Sequence, residues 1–350
     1  MSFIDLRDVT VTFPDGTVGL DGVDIDVREH EFVALIGPSG SGKTTLLRTI
    51  AGFVQPSDGQ VRIDGRDLTH VPPEKRGMGM VFQQHAVWPH MSVAGNVEYP
   101  LKRAGVEKRE RADRVERALR LVGLDGFGAR KPASLSGGQR QRVALARAII
   151  ADPSVLLLDE ALSALDEPLR DSLRRELVSL TRREGLTTVH VTHDRSEALS
   201  IADRVVVLID ARVQQVADPA TLVRYPASAE VAAFIADAAL LDAVHQGDRI
   251  SCPSLGLSWP VPEVEVVGTP AEQLRLAVLP AAVEVLPAGT PDAVAATVAS
   301  VLYDAGNFSV TLETESGDRF RATVTGARPE IGETVGLRVH RPLGFETSPA

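Results

Sequence analysis

An α/β domain carrying a helical insert, followed by a small all-β domain, is the architecture the sequence predicts, and three observations predict it. Near-continuous apolar runs at Phe32–Ile36, Val155–Leu158 and Val205–Leu208 alternate with helical stretches up to about residue 235, as parallel strands buried on both faces do. Past about residue 240 the helical pattern fades. Short β-rich segments (Gln273–Leu279, Ala295–Leu302, Ser309–Glu313, Arg319–Thr325, Val335–Val339) follow, separated by Gly, Pro and Asp at the spacing of a barrel or sandwich. Charge changes at the same place: residues 236–350 hold 15 acids against 7 bases, while residues 1–235 hold 32 against 30. With 350 residues there is room for two domains, at 1–238 and 239–350, with the insert at about 84–150.

Taken in chain order, the first strand, residues 32–36, runs into Gly37-Pro38-Ser39-Gly40-Ser41-Gly42-Lys43-Thr44, which fits the phosphate-loop pattern G-x-x-x-x-G-K-[ST]. A helical run, Thr44 to Ala51, follows. Glycines let backbone N–H groups turn inward around phosphates, and the helix start adds its positive dipole end. Lys43 would reach the β- and γ-phosphates, and Thr44 would place its hydroxyl on Mg²⁺. Met80-Val81-Phe82-Gln83-Gln84 reads as a strand end, where Gln83 and Gln84 are rivals for any role. Glu107–Leu124 sets Val115, Leu119 and Val122 at helical spacing with acids and bases three and four apart, an exposed helix of the insert. Leu135-Ser136-Gly137-Gly138-Gln139 then opens another helical run, Arg140–Ile150, a second anion-facing helix start. Residues 155–160 form a buried strand ending in two acids. Asp159 suits Mg²⁺, and Glu160 is placed to polarise a water. A single nucleotide has no need of two helix starts unless two chains meet around it.

Composition narrows the function. The chain is 44% hydrophobic and 24% charged, enough to build a core, and only 4% aromatic, which disfavours a base-stacking surface. A formal charge of −10 argues against nucleic-acid binding, which needs cations to displace counterions. One cysteine, Cys252, forms neither an internal disulfide nor a cysteine metal site. No run reaches the roughly 18 apolar residues of a membrane span. The longest candidate, Val231–Val244, is broken by Asp237 and Asp242, and the N-terminus has no signal-peptide pattern, so a cytosolic protein is expected.

In order and spacing, the phosphate loop, Leu135–Gln139, Asp159-Glu160, Ser163-Ala164-Leu165-Asp166 and Thr192-His193-Asp194 resemble the nucleotide-binding subunits of ABC transporters, across essentially all of residues 1–235. That resemblance implies an α/β P-loop ATPase domain with a helical insert, and ATP hydrolysis with Mg²⁺ as cofactor. It implies a head-to-tail homodimer in which Ser136, Gly138, Gln139 and Asp166 act on the nucleotide held by the other copy. It further implies that residues Gly37–Thr45, including Thr45, bind ATP and that Phe13 stacks on adenine. By the same resemblance Thr44, Gln83 and Asp159 would hold Mg²⁺ and Glu160, Gln83 and His193 would be the catalytic group, while His190 reads as structural. Arg76–Gln83 and Trp88–Val93 resemble importers with C-terminal extensions, whose permease docks near Ala86–Val93 with Trp88 as anchor. Val294 onward resembles their small OB-like regulatory domain, read as a ligand-sensing or partner-binding module. The resemblance places the protein on the cytoplasmic face of the membrane, bound to permease subunits and linked only through them to an extracytoplasmic substrate-binding protein. Phe234–Leu241 and the short C-terminal part look most like ferric-iron importers, with polyamine, phosphonate, sulfate and sugar relatives as alternatives, and a soluble non-transport ABC ATPase as a distant one. Three residues depart from the family pattern: Ala161 for Pro, Ala164 for Asn, and Ala211 where a hairpin glycine is usual.

Overall fold

In the computed structural model the described residues are 2–83, 86–162, 167–268 and 271–347, arranged as two compact units, Met1–Pro219 and Ala220–Ala350. Asp166, Ala164 and Gln84 lie outside the described residues.

In the first unit the elements are β1 (Ser2–Thr12), β2 (Val18–Arg28), β3 (Phe32–Ile36), α1 (Lys43–Ala51), β4 (Asp58–Ile63), β5 (Arg66–Asp67), β6 (Met78–Val81), α2 (Val93–Arg103), α3 (Lys108–Leu121), α4 (Gly137–Ile149), β7 (Val155–Asp159), α5 (Glu167–Arg183), β8 (Thr187–Val191), α6 (Arg195–Ile201), β9 (Arg204–Ile209) and β10 (Arg212–Ala217), with α7 (Pro219–Arg224) at the junction. One sheet has the order β10-β9-β3-β8-β7-β6, parallel throughout except for the β9–β10 hairpin. β1, β2, β4 and β5 make a separate antiparallel sheet. Every residue of β3, β7 and β8 is buried, the price-free solution for apolar runs covered on both faces. Alternation assigns the faces. Val33, Leu35, Val155 and Leu157 pack with Leu46, Leu47 and Ile50 of α1 and with Ile4 and Leu6 of the antiparallel sheet. Phe32, Leu156 and Leu158 pack with Val97, Leu101, Leu119 and Val143 of the helical insert.

β3, β8, β7 and β6 are adjacent and parallel, so their C-terminal ends share one edge. Loops leaving that edge are where open α/β sheets bind ligands. Gly37, Thr192, Glu160 and Phe82 each begin such a loop.

The second unit contains α8 (Ala229–Ala236), β11 (Ala239–Gln246), β12 (Arg249–Cys252), β13 (Leu257–Pro260), β14 (Glu265–Val267), β15 (Gln273–Val278), β16 (Val283–Pro287), β17 (Val294–Asp304), β18 (Asn307–Thr314), β19 (Arg319–Val324), β20 (Thr334–Val339) and β21 (Leu343–Glu346). Its sheets, β13-β12-β11-β15-β21-β14 and β16-β20-β17-β18-β19, enclose one core of Leu241, Ile250, Cys252, Leu276, Val298, Leu312, Phe320 and Leu337. This is the all-β OB-like domain. All five predicted C-terminal segments are strands.

Candidate active site

Residues 37–42 connect β3 to α1 as a tight loop that only glycine permits at its start. A Cβ on Gly37 would sit 2.0 Å from the Leu208 carbonyl oxygen of β9. At its end Gly42 is left-handed (φ 99°), and a Cβ there would lie 2.5 Å from the Gly19 carbonyl. The loop thereby wraps Lys43, whose Nζ donates to the carbonyls of Gly37 (2.9 Å) and Pro38 (2.7 Å) and to Ser41 Oγ (3.4 Å). Burial holds the Lys43 ammonium below its ordinary range, opposed by the Glu160 carboxylate. The first N–H groups of α1 have no partner within the helix.

A cleft of about 530 Å³ opens here, lined by Phe13, Thr17, Val18 and Gly19, by the loop from Gly37 to Thr45, and by Glu160 and His193. Thr17, Val18 and Gly19 escaped the sequence reading. The available signal was Gly19 itself, where a Cβ would meet the Phe13 ring at 2.7 Å, so a side chain there would displace the ring.

Glu160 closes the cleft. It is left-handed (φ 45°), with its N–H donating to the Val191 carbonyl at 2.9 Å, so the turn after β7 is drawn over β8. A non-glycine residue in that region is strained, and such strain gathers at functional sites. Its Oε2 accepts a 2.6 Å hydrogen bond from Gln83 Nε2 and stands 3.5 Å from His193 Nδ1. Three residues from three strand ends thus meet on one oxygen. Asp159 is 5% exposed at the end of β7. Burial pushes its carboxyl above the ordinary range, with Arg48 opposing and Glu160 reinforcing the shift. Carboxylate and hydroxyl oxygens from Asp159 and Thr44 are the hard donors Mg²⁺ takes, usually from one or two carboxylates with the rest from substrate phosphate and water. The donor set therefore fits the ion.

Ser136, Gly138 and Gln139 do not line this cleft. They open α4 with a capping box: Ser136 Oγ accepts from the Gln139 N–H (3.2 Å), and Gln139 Oε1 accepts from the Ser136 N–H (3.0 Å). His190 is fully buried, its ring edge-on to Phe32 at 6.1 Å and 3.2 Å from Glu197. Trp88 is half-buried between Tyr99 (4.6 Å between ring centroids) and the Arg147 guanidinium (4.5 Å from the ring). Ala161 is buried, and Asp210 and Ala211 both adopt left-handed φ (50° and 62°) in the β9–β10 turn.

A family model described as ABC transporter matches residues 20–163. The chain is 42% identical over 349 residues to the spermidine/putrescine import ATP-binding protein PotA of Pseudomonas aeruginosa, covering 95% of each. It is 39% identical over 345 residues to the Fe(3+) ions import ATP-binding protein FbpC of Escherichia coli, covering 98% of this chain and 97% of the relative. A solved structure described as the dimeric post-hydrolysis state of the ATP-binding cassette MJ0796 bound to ADP and Pi superposes with a TM-score of 0.56 at 34% identity, covering 62% of this chain and 98% of that one.

Proposed function

The chain belongs to the ABC transporter family as an import ATP-binding subunit that hydrolyses ATP with Mg²⁺, and from that premise we propose that Glu160, Gln83 and His193 form its hydrolytic centre. The observation that carries this is the convergence of Gln83 and His193 on Glu160 Oε2 at the mouth of the cleft cradled by Gly37–Thr45. Glu160 accepts the proton of the attacking water. Gln83 orients the carboxylate through its amide nitrogen, which leaves its amide oxygen for the metal. His193 binds the γ-phosphate from the far side. Lys43 exchanges its two loop carbonyls for phosphate oxygens, and Phe13 stacks on the base. Asp159 and Thr44 would hold Mg²⁺, which when bound would neutralise the charge of the nucleotide's terminal phosphates. Catalysis is positioning and charge stabilisation throughout.

Two copies meet head to tail, so that Ser136, Gly138 and Gln139 of one complete the nucleotide site of the other, together with Asp166. The placement of these residues away from their own cleft supports this arrangement. Trp88 and the stretch Ala86–Val93 dock a permease, and the protein works at the cytoplasmic face of a membrane. Among the described residues no helix is long and apolar enough to cross one. Ferric iron is the cargo we propose first, supported by near-complete coverage of an iron-import relative. A polyamine is the second reading, favoured by the higher identity of the PotA relative.

Tagged Glu160→Gln protein, trapped with MgATP in detergent-solubilised native membranes, tests both levels. Co-elution of a permease is the expected result, and its companion binding protein is then titrated with ferric iron, spermidine and putrescine. Recovery of soluble partners alone, with the trapped dimer verified, would overturn the transport reading.

A further inference from the structure

Three buried ionisable side chains beside the hydrolytic centre take no part in the chemistry above: His190 (0% exposed), Glu197 (3%) and Arg174 (9%). Buried charge is costly unless it is paired, so its partners show what the arrangement holds in place. The bonds converge on the turn between β8 and α6 that carries His193. Thr192 Oγ1 donates to Glu197 Oε2 at 2.7 Å and accepts the Asp194 N–H at 3.0 Å. Asp194 Oδ1 accepts the Glu197 N–H at 3.1 Å and so caps α6. The other Glu197 oxygen stands 3.2 Å from His190 Nε2. From α5, Arg174 Nη2 donates to Asp194 Oδ2 at 2.9 Å, Nη1 donates to Asp171 at 3.0 Å, and Nε lies 3.8 Å from Glu197 Oε1. Arg170 adds a second guanidinium 3.7 Å from Asp194. Both neighbours of His193 are therefore held by hydrogen bonds, that of Thr192 to Glu197 buried and those of Asp194 partly buried. The imidazole itself is 63% exposed and reaches Glu160 at 3.5 Å.

We propose that Arg174 is a positioning residue for hydrolysis: through Asp194 and Glu197 it locks the 192–194 turn to α5 and so keeps His193 against Glu160. The inference rests on reading Glu160 and His193 as catalytic. A guanidinium suits the task because its three nitrogens reach three different carboxylates, those of Asp194, Asp171 and Glu197.

Steady-state ATP hydrolysis by the full chain tests the consequence, and amide hydrogen exchange over residues 190–198 tests the clamp itself. Arg174→Ala is expected to lower kcat about tenfold or more with KM for ATP within about twofold, the pattern of a lost transition-state arrangement. Arg174→Lys recovers part of that rate. In a His193→Ala background Arg174→Ala causes no further loss, because both act through one group. Exchange at 192–194 accelerates in both arginine variants. Asp194→Asn, which keeps a helix-capping oxygen but loses the ion pair, gives the same split should Arg174→Ala fold poorly. Unchanged exchange at 192–194, an unchanged kcat in both Arg174→Ala and Asp194→Asn, or additive losses with His193→Ala would each overturn the proposal. If His193→Ala leaves kcat intact while exchange accelerates in the arginine variants, the catalytic reading of His193 falls and the clamp stands.

Discussion

At Glu160 the hydrolytic reading reduces to one oxygen, Oε2, shared by Gln83 and His193. Glu160→Gln keeps the side chain's shape and removes its basicity, so ATP affinity should persist while turnover falls on the order of 10²-fold or more, the scale of a lost general base. Fluorescent-nucleotide binding beside phosphate release checks both halves. Asp159 carries the opposite bargain. Its carboxyl is raised by burial, so the charged form weakens the nucleotide-free fold above its folded-state pKa, and that penalty disappears once pH falls below the unfolded value near 3.8. Asp159→Asn should therefore raise the melting temperature of nucleotide-free protein by a few degrees at neutral pH, with the gain shrinking towards acid, and should abolish the further stabilisation that MgATP provides. Scanning calorimetry at two pH values decides it. Ala211, left-handed at φ 62°, strains the turn by about 1 kcal/mol, so Ala211→Gly should raise the melting point. The phosphate loop and both acids were legible because their chemistry demands fixed types at fixed spacing. Gln83 was not separable from Gln84 on the residues alone, since a strand end gives no sign of which amide turns towards a carboxylate 77 positions away.

Among the elements, α4 shows how a helix start serves two purposes. Its capping box satisfies N–H groups within the chain, so Ser136→Ala costs about 1 kcal/mol through the cap alone. Gln139→Glu preserves the box but sets a negative charge where the partner's phosphate would sit. An unchanged melting temperature with a clear loss of hydrolysis is the expected outcome, and equal hydrolysis would argue against the contact across the dimer. Apolar periodicity exposed β3, β7, β9 and α3 to within a few residues because their burial is regular. The antiparallel sheet of β1, β2, β4 and β5 was not read from the sequence. Val23, Ile25 and Val27 of β2 do alternate with exposed Asp24, Asp26 and Arg28, but the β1–β2 pairing as a whole is interrupted by register shifts. Arg76 entered the sequence reading only as the start of an importer-like stretch, and its structural role went unread. It is 5% exposed and donates to the carbonyls of Thr49, Ile50, Thr69 and Val71, tying the end of α1 to the chain before β6, yet in the sequence it is one arginine among many.

Over the whole molecule, the head-to-tail reading predicts that Glu160→Gln protein with MgATP elutes at twice the 37.4 kDa chain mass and reverts on chelation of Mg²⁺. Light scattering on a size-exclusion column checks it. The second unit was legible as β-rich from its turn residues, and five of its strands could be read from the sequence. β11 escaped because Asp242 and His245 interrupt it, and β21 because a four-residue strand holding a glycine offers little pattern. Cys252 gives that unit a use of its own. The chain's one thiol is 1% exposed in the all-β core, so an alkylating reagent reaches it only when that core opens. Alkylation rates with and without MgATP, iron or polyamine become a stopwatch for one half of the molecule, timed against an otherwise thiol-free background.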